Sequence, residues 1–195
     1  MFQNANPLGR SLGLGVAAAL AWLSACLPNP QSVNERRESF DRKGLVGSVI
    51  LDRLPTNATA VNAVFGERIE LVGVSTDPPA PKRGDNVEIT FYWSVQKPVD
   101  EDYMVFVHGD AIEGQARRIH GDHFPAKGKY GTDVWKPGEV VADTFTVSIE
   151  SDYGPRQLGI FTGLYKGDYR VPLTNKGSGV SDAENRSRPL VITFP

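Results

Sequence analysis

Val87, Ile89, Phe91 and Trp93 alternate with Glu88, Thr90, Tyr92 and Ser94. This run constrains the chain more than any other stretch. A period of two puts successive side chains on opposite faces of an extended strand, one face for a core and one for water or a partner. A helix of period 3.6 cannot sort these residues.

The pattern recurs. Val141, Asp143, Phe145, Val147 and Ile149 alternate with Ala142, Thr144, Thr146 and Ser148. Further strands are expected at residues 69–74, 103–108, 114–120, 158–165, 169–172 and 188–194. Residues 103–108 are apolar on both faces, which suits a central strand. Arg117 and Arg118 make residues 114–120 an edge. The turns are equally plain. Arg83-Gly84-Asp85 and Pro137-Gly138 each launch a strand, and residues 77–81 hold three prolines that cannot pair. With 20 glycines and 14 prolines the chain has many turns. Seven or eight short strands without a long helix argue for an all-β fold, an immunoglobulin-like antiparallel β-sandwich over residues 61–195. Trp93 is expected in its core, as such sandwiches often bury a tryptophan.

The N-terminus is different. Arg10 is the only charged residue before Cys26, and residues 12–23 are almost wholly apolar. That run is too short to span a bilayer, which needs about 20 residues. It fits the apolar core of a secretory signal. Leu23-Ser24-Ala25-Cys26 resembles the lipobox of bacterial lipoproteins. In that family the cysteine thiol takes a diacylglycerol, the peptide is cut before it, and the new amino group is acylated. The resemblance implies a signal peptide over residues 1–25, lipid attachment at Cys26 and anchorage of the chain in a membrane. It also accounts for a lone cysteine in an exported chain, and it leaves none for a disulfide. Leu27 stands where an aspartate serves as an inner-membrane retention signal in many Gram-negative lipoproteins. The outer membrane of a bacterial envelope is therefore the expected address.

Residues 26–60 read as a flexible tether. Prolines 28 and 30 oppose a helix start. Residues 34–43 are densely charged and read as a solvated linker; the alternative is a short exposed helix with Glu35 facing Ser39 and Glu38 facing Arg42. Residues 45–51 are apolar enough to dock as a short strand. A tether of about 35 residues would reach roughly 115 Å when extended.

The order of several short motifs carries a second resemblance. They are Phe65-Gly66-Glu67-Arg68-Ile69, Lys82-Arg83-Gly84-Asp85, Thr90-Phe91-Tyr92-Trp93, residues 103–108, Trp135-Lys136-Pro137-Gly138-Glu139 and Gly163-Leu164-Tyr165. Together they are similar to the β-sandwich module at the C-terminus of bacterial membrane-bound glycosyltransferase-like proteins. The resemblance covers residues 64–194 and implies no catalytic residue.

The chemistry-bearing residues are few. His108, His120 and His123, with Asp110 and Asp122 nearby, could be drawn as a metal site, since imidazole and carboxylate suit zinc. Their spacing matches no established signature, so neither metal nor cofactor is expected. Glu139, Asp143, Asp100, Glu101 and Asp102 could supply paired carboxylates, but none sits in a recognisable context. There is no Gly-x-Ser-x-Gly, phosphate loop or catalytic cysteine. A net charge of −2 and the lack of a basic patch argue against nucleic acid. Binding remains. Lys127, Lys129, Tyr130 and Trp135, in the long loop of residues 122–138, are the candidate partner-binding residues. The expectation is a non-enzymatic envelope protein whose sandwich binds another envelope protein. The alternative is a glycan-binding lipoprotein, which an exposed platform of Tyr92 and Tyr130 would favour.

Overall fold

A computed structural model describes residues 31–182 and 184–195. The signal peptide and Cys26 expected from sequence lie outside the described residues. No helix among the described residues is long and apolar enough to cross a membrane.

The fold is an antiparallel β-sandwich of two six-stranded sheets. Seven strands of seven residues or more form its body. They are β2 (Thr59–Phe65), β3 (Ile69–Asp77), β4 (Asn86–Val95), β5 (Met104–Ala111), β7 (Val140–Ser148), β8 (Gln157–Lys166) and β12 (Ser187–Thr193). Five short strands complete the sheets: β1 (Ile50–Leu51), β6 (Ile119–His120), β9 (Tyr169–Arg170), β10 (Leu173–Asn175) and β11 (Val180–Ser181). The first sheet runs β1-β7-β4-β3-β2-β10, and the second β11-β12-β8-β5-β6 with β9 beside β8.

The order is immunoglobulin-like. β3, β4 and β7 take the places of strands A, B and E, and β5, β8 and β12 those of C, F and G. The place of strand D, on the outer edge of E, falls to β1, which is two residues long.

The alternating residues form the core as expected. Val87, Ile89, Phe91, Trp93 and Val95 are buried, as are Val141, Phe145 and Val147 from β7. Trp93 packs edge-on against Phe65 and Phe91, each 5.9 Å away between ring centroids. It lies on the B strand, whereas immunoglobulin domains keep their tryptophan on C. Gly84 and Gly138 both have φ +89, so the two expected turns use glycine for its left-handed freedom.

Three expectations are corrected. The strand expected over residues 114–120 is reduced to Ile119–His120, because Arg118 turns to bind Asp110 through two bonds of 2.6 and 3.0 Å. The tether expected to run to residue 60 ends much earlier. Helix α1 (Val33–Ser39) starts on a Ser32–Glu35 capping box, so Glu35 reaches back to the cap. Glu38 pairs with Lys136 at 2.5 Å. Arg37 is buried and donates to the Val99 carbonyl at 2.6 Å, while β1 pairs with β7. The charged stretch is thus a docked collar, held because its arginines find acceptors far away in sequence.

The third correction concerns the loop. Tyr130 and Trp135 are fully buried and belong to the core. Trp135 Nε1 donates to the Tyr130 carbonyl at 3.0 Å, closing the loop on itself.

Candidate functional site

The loop of residues 122–138 folds as a plug. Thr132 is its hinge to the neighbouring strand connection: its hydroxyl donates to the Glu101 carbonyl at 2.7 Å and accepts from Tyr103 N–H at 2.8 Å. Asp102 accepts from Thr132 N–H at 3.1 Å. Of the four residues expected to meet a partner, only Lys127 and Lys129 are exposed. Tyr130 cannot serve as an aromatic platform, nor can Tyr92, which is buried with its hydroxyl 3.0 Å from that of Ser75.

The histidines divide into two kinds. His123 is bound on both ring nitrogens, with Nδ1 2.6 Å from the Gly121 carbonyl and Nε2 3.0 Å from Oδ2 of the buried Asp143. A carbonyl and a carboxylate both accept, so the protonated ring is the form that satisfies both bonds. Burial opposes that charge, but the Asp143 carboxylate and the Gly121 carbonyl outweigh it, and the pKa stands above the ordinary histidine value. The other Asp143 oxygen accepts from Ala126 N–H at 2.9 Å. This ion pair pins the plug to β7 and leaves neither member for chemistry.

His108 and His120 are free of such bonds. They sit directly opposite each other on β5 and β6, rings 5.4 Å apart. The pairing continues past β6, because Gly121 N–H bonds Val107 O and His123 N–H bonds Val105 O, each at 2.9 Å. Asp122 is therefore two residues beyond His120 on the same face. One donor atom from each of His108, His120 and Asp122 lies within 4.8 Å of the others. His123, three residues from His120, falls on the opposite face.

A second feature was not anticipated from sequence. The Ala142 N–H bonds the Val49 carbonyl at 2.7 Å, pointing away from β4. In the unbroken antiparallel register between β4 and β7, alternate residues share that direction. Thr144, Thr146 and Ser148 therefore present their backbone groups outward beyond the end of β1. Among the described residues these groups have no backbone partner. This open edge runs into a cleft of about 490 Å³ lined by Arg117, Arg118, His120, Ser148, Asp152 and Tyr153. The Tyr153 hydroxyl there is buried without a partner, and burial raises its pKa.

The cleft and α1 lie at opposite ends of the sandwich. Arg37 holds α1 to Val99, just past the end of β4, whereas Ser148 pairs with Asn86 at its start. Ten residues of β4 separate them by about 30 Å. No family model matches this chain, and no curated protein or solved structure matches it either.

Proposed function

We propose that this is a non-enzymatic, lipid-anchored envelope protein that captures an extended segment of another envelope protein along the open edge of β7. The observation that carries this reading is the row of outward backbone groups at Thr144, Thr146 and Ser148. Unpaired edges template the addition of a strand, and backbone hydrogen bonds supply affinity without demanding a particular sequence. The incoming segment would occupy the D-strand position that two-residue β1 leaves short. Its end would enter the cleft, where Arg117, Glu150 and Asp152 offer side-chain selectivity. The burial of Tyr92 and Tyr130 removes the platform that would favour a glycan.

With Cys26 lipidated, residues 27–32 link the lipid to α1, and six residues span at most about 20 Å. Leu27 after the cysteine supports the outer membrane.

The test uses the full chain in its native envelope, with a photo-crosslinking residue in place of Ser148. The expected result is a discrete protein adduct that Thr146→Pro abolishes. Recovery of glycan alone, or an adduct indifferent to Thr146→Pro, overturns the reading. Cys26→Ala should move the protein from the membrane to the soluble fraction, and continued membrane retention would remove the lipid anchor.

A further inference from the structure

We propose that His108, His120 and Asp122 form a binding site for a divalent transition cation of the zinc type. The site shares His120 with the lining of the cleft beyond the open β7 edge, but it does not rest on capture along that edge. It lies on the outer face of the second sheet, at the β5–β6 border.

The backbone builds the triad. His120 and Asp122 share a face because they are two residues apart in an extended segment, and His108 stands opposite His120. The backbone ladder thus fixes the spacing of all three. The donors lie within 4.8 Å of one another. Metal–nitrogen bonds near 2.1 Å require donor separations of about 3.3 Å. The difference of about 1.5 Å is within reach of side-chain rotation, since His120 and Asp122 are exposed.

His108 supplies the independent observation. It is only 7% exposed, and its Nδ1 is buried without any hydrogen-bond partner. Its Nε2 stands 4.0 Å from Asp122 Oδ1, beyond hydrogen-bond reach. Nε2 is thus the nitrogen that faces Asp122, and with no hydrogen-bond partner among the described residues it has its lone pair to offer there. His123, three residues from His120, shows what a structural histidine looks like in this protein, with both nitrogens bound.

The neighbouring cation does not compete for the site, because Arg118 is engaged by Asp110 through two hydrogen bonds. Asp122 is already oriented, because its Oδ1 accepts from Val107 N–H at 3.0 Å. Such outer contacts fix ligand geometry in metal sites. Two imidazoles and one carboxylate select a borderline cation such as zinc over calcium or magnesium, which prefer all-oxygen shells. Three protein ligands leave one position open. A neighbouring recess of about 290 Å³, lined by Phe106, Tyr165, Asp168 and Arg170, gives that position room.

The test is titration of the purified protein with zinc ions alone, in competition with a chromogenic chelator. One equivalent should bind, and His120→Ala should weaken it at least tenfold. That variant alters an exposed side chain, so folding is retained, as circular dichroism will check. Asp122→Asn should weaken binding in the same direction. Cobalt(II) should give the visible absorption of a four- or five-coordinate nitrogen–oxygen site, lost in His120→Ala. Equal affinity in wild type and His120→Ala, or no binding above the chelator background, overturns the proposal.

Discussion

Nε of Arg42 lies 3.1 Å from the hydroxyl of Tyr130, joining the N-terminal collar to the loop that plugs the sandwich. The same guanidinium pairs with Glu139 at 3.2 Å and donates to the Val134 carbonyl at 2.5 Å. Its carbon stands 5.5 Å from the Phe40 ring centroid and 5.7 Å from that of Tyr130. Tyr130 in turn donates to Glu139 at 2.5 Å. Burial, reinforced by Glu139, pushes the phenol pKa far above its ordinary value, so it remains a donor throughout the physiological range. Arg42→Ala removes the charge partner of a largely buried Glu139, leaving it only the Tyr130 hydroxyl and the Lys136 N–H, and should cost about 2–3 kcal/mol. Tyr130→Phe keeps the Arg42–Glu139 pair and should cost only about 1–2 kcal/mol. Urea unfolding monitored by tryptophan fluorescence measures both. A loss below about 0.5 kcal/mol for Arg42→Ala, the size of an ordinary surface substitution, would mean that the collar is not clasped there.

Much of this architecture is legible in the sequence, and the illegible parts have physical causes. β4 and β7 announce themselves because their faces alternate cleanly. β2 does not, because Asn62 has φ 59 and the register with β3 shifts between Ala60 and Ala63, which breaks the period. The collar is illegible because Arg37 and Arg42 look like solvated charge until their acceptors, 62 to 97 residues away, are placed beside them. Tyr130 and Trp135 suggest an interface by residue type, yet their loop folds inward. The histidine grouping fails by one step of the strand period. Sequence proximity draws His123 into the cluster, whereas the extended backbone sends residue 123 to the other face and brings Asp122 in its place.

Arg186 and Asp182 set an acid limit to stability. Arg186 Nε donates to Asp182 Oδ2 at 2.7 Å, and the Glu184 N–H donates to Oδ1 at 3.0 Å. Burial raises the Asp182 pKa, but these bonds overcome it and hold the carboxyl below its ordinary value. A depressed carboxyl pKa contributes stability above the unfolded value of about 3.9 and loses it as pH falls through the folded value. Asp182→Asn should therefore lower the urea midpoint at pH 6. The two proteins should converge as the pH falls below about 4. Parallel curves from pH 6 to pH 2.5 would remove Asp182 from the acid transition.

Gly163 lets an aromatic ring lie across the second sheet. A Cβ at this position would meet Phe106 Cε1 at 2.6 Å and Cζ at 2.7 Å, with the Asn185 carbonyl at 3.1 Å. The ring is trapped from above by Arg170, whose guanidinium carbon is 4.8 Å from its centroid. Gly163→Ala must displace Phe106 and should cost about 1–3 kcal/mol, the usual range for overpacking. Adding Phe106→Leu to that background should recover part of the loss. A double-mutant cycle reads this coupling; strict additivity of the two changes would refute the contact.

The open edge of β7 makes opposite predictions for adjacent residues. Thr146 directs its N–H outward, away from β4, while Val147 directs its own into the ladder opposite Val87. Proline removes an N–H and fixes φ near −65°. At Thr146 the lost donor has no partner among the described residues and the side chain is exposed. Only modest backbone strain remains, about 1–2 kcal/mol by analogy with other strained backbone sites. At Val147 proline breaks a ladder bond beside a buried side chain and should cost about 3 kcal/mol or more. Thr146→Pro should thus stay folded while losing partner capture, because a strand cannot add where the template lacks its donor. Equal destabilisation by the two prolines would mean that the Thr146 amide points inward. A folded Thr146→Pro protein that still captures its partner would place recognition elsewhere on the surface.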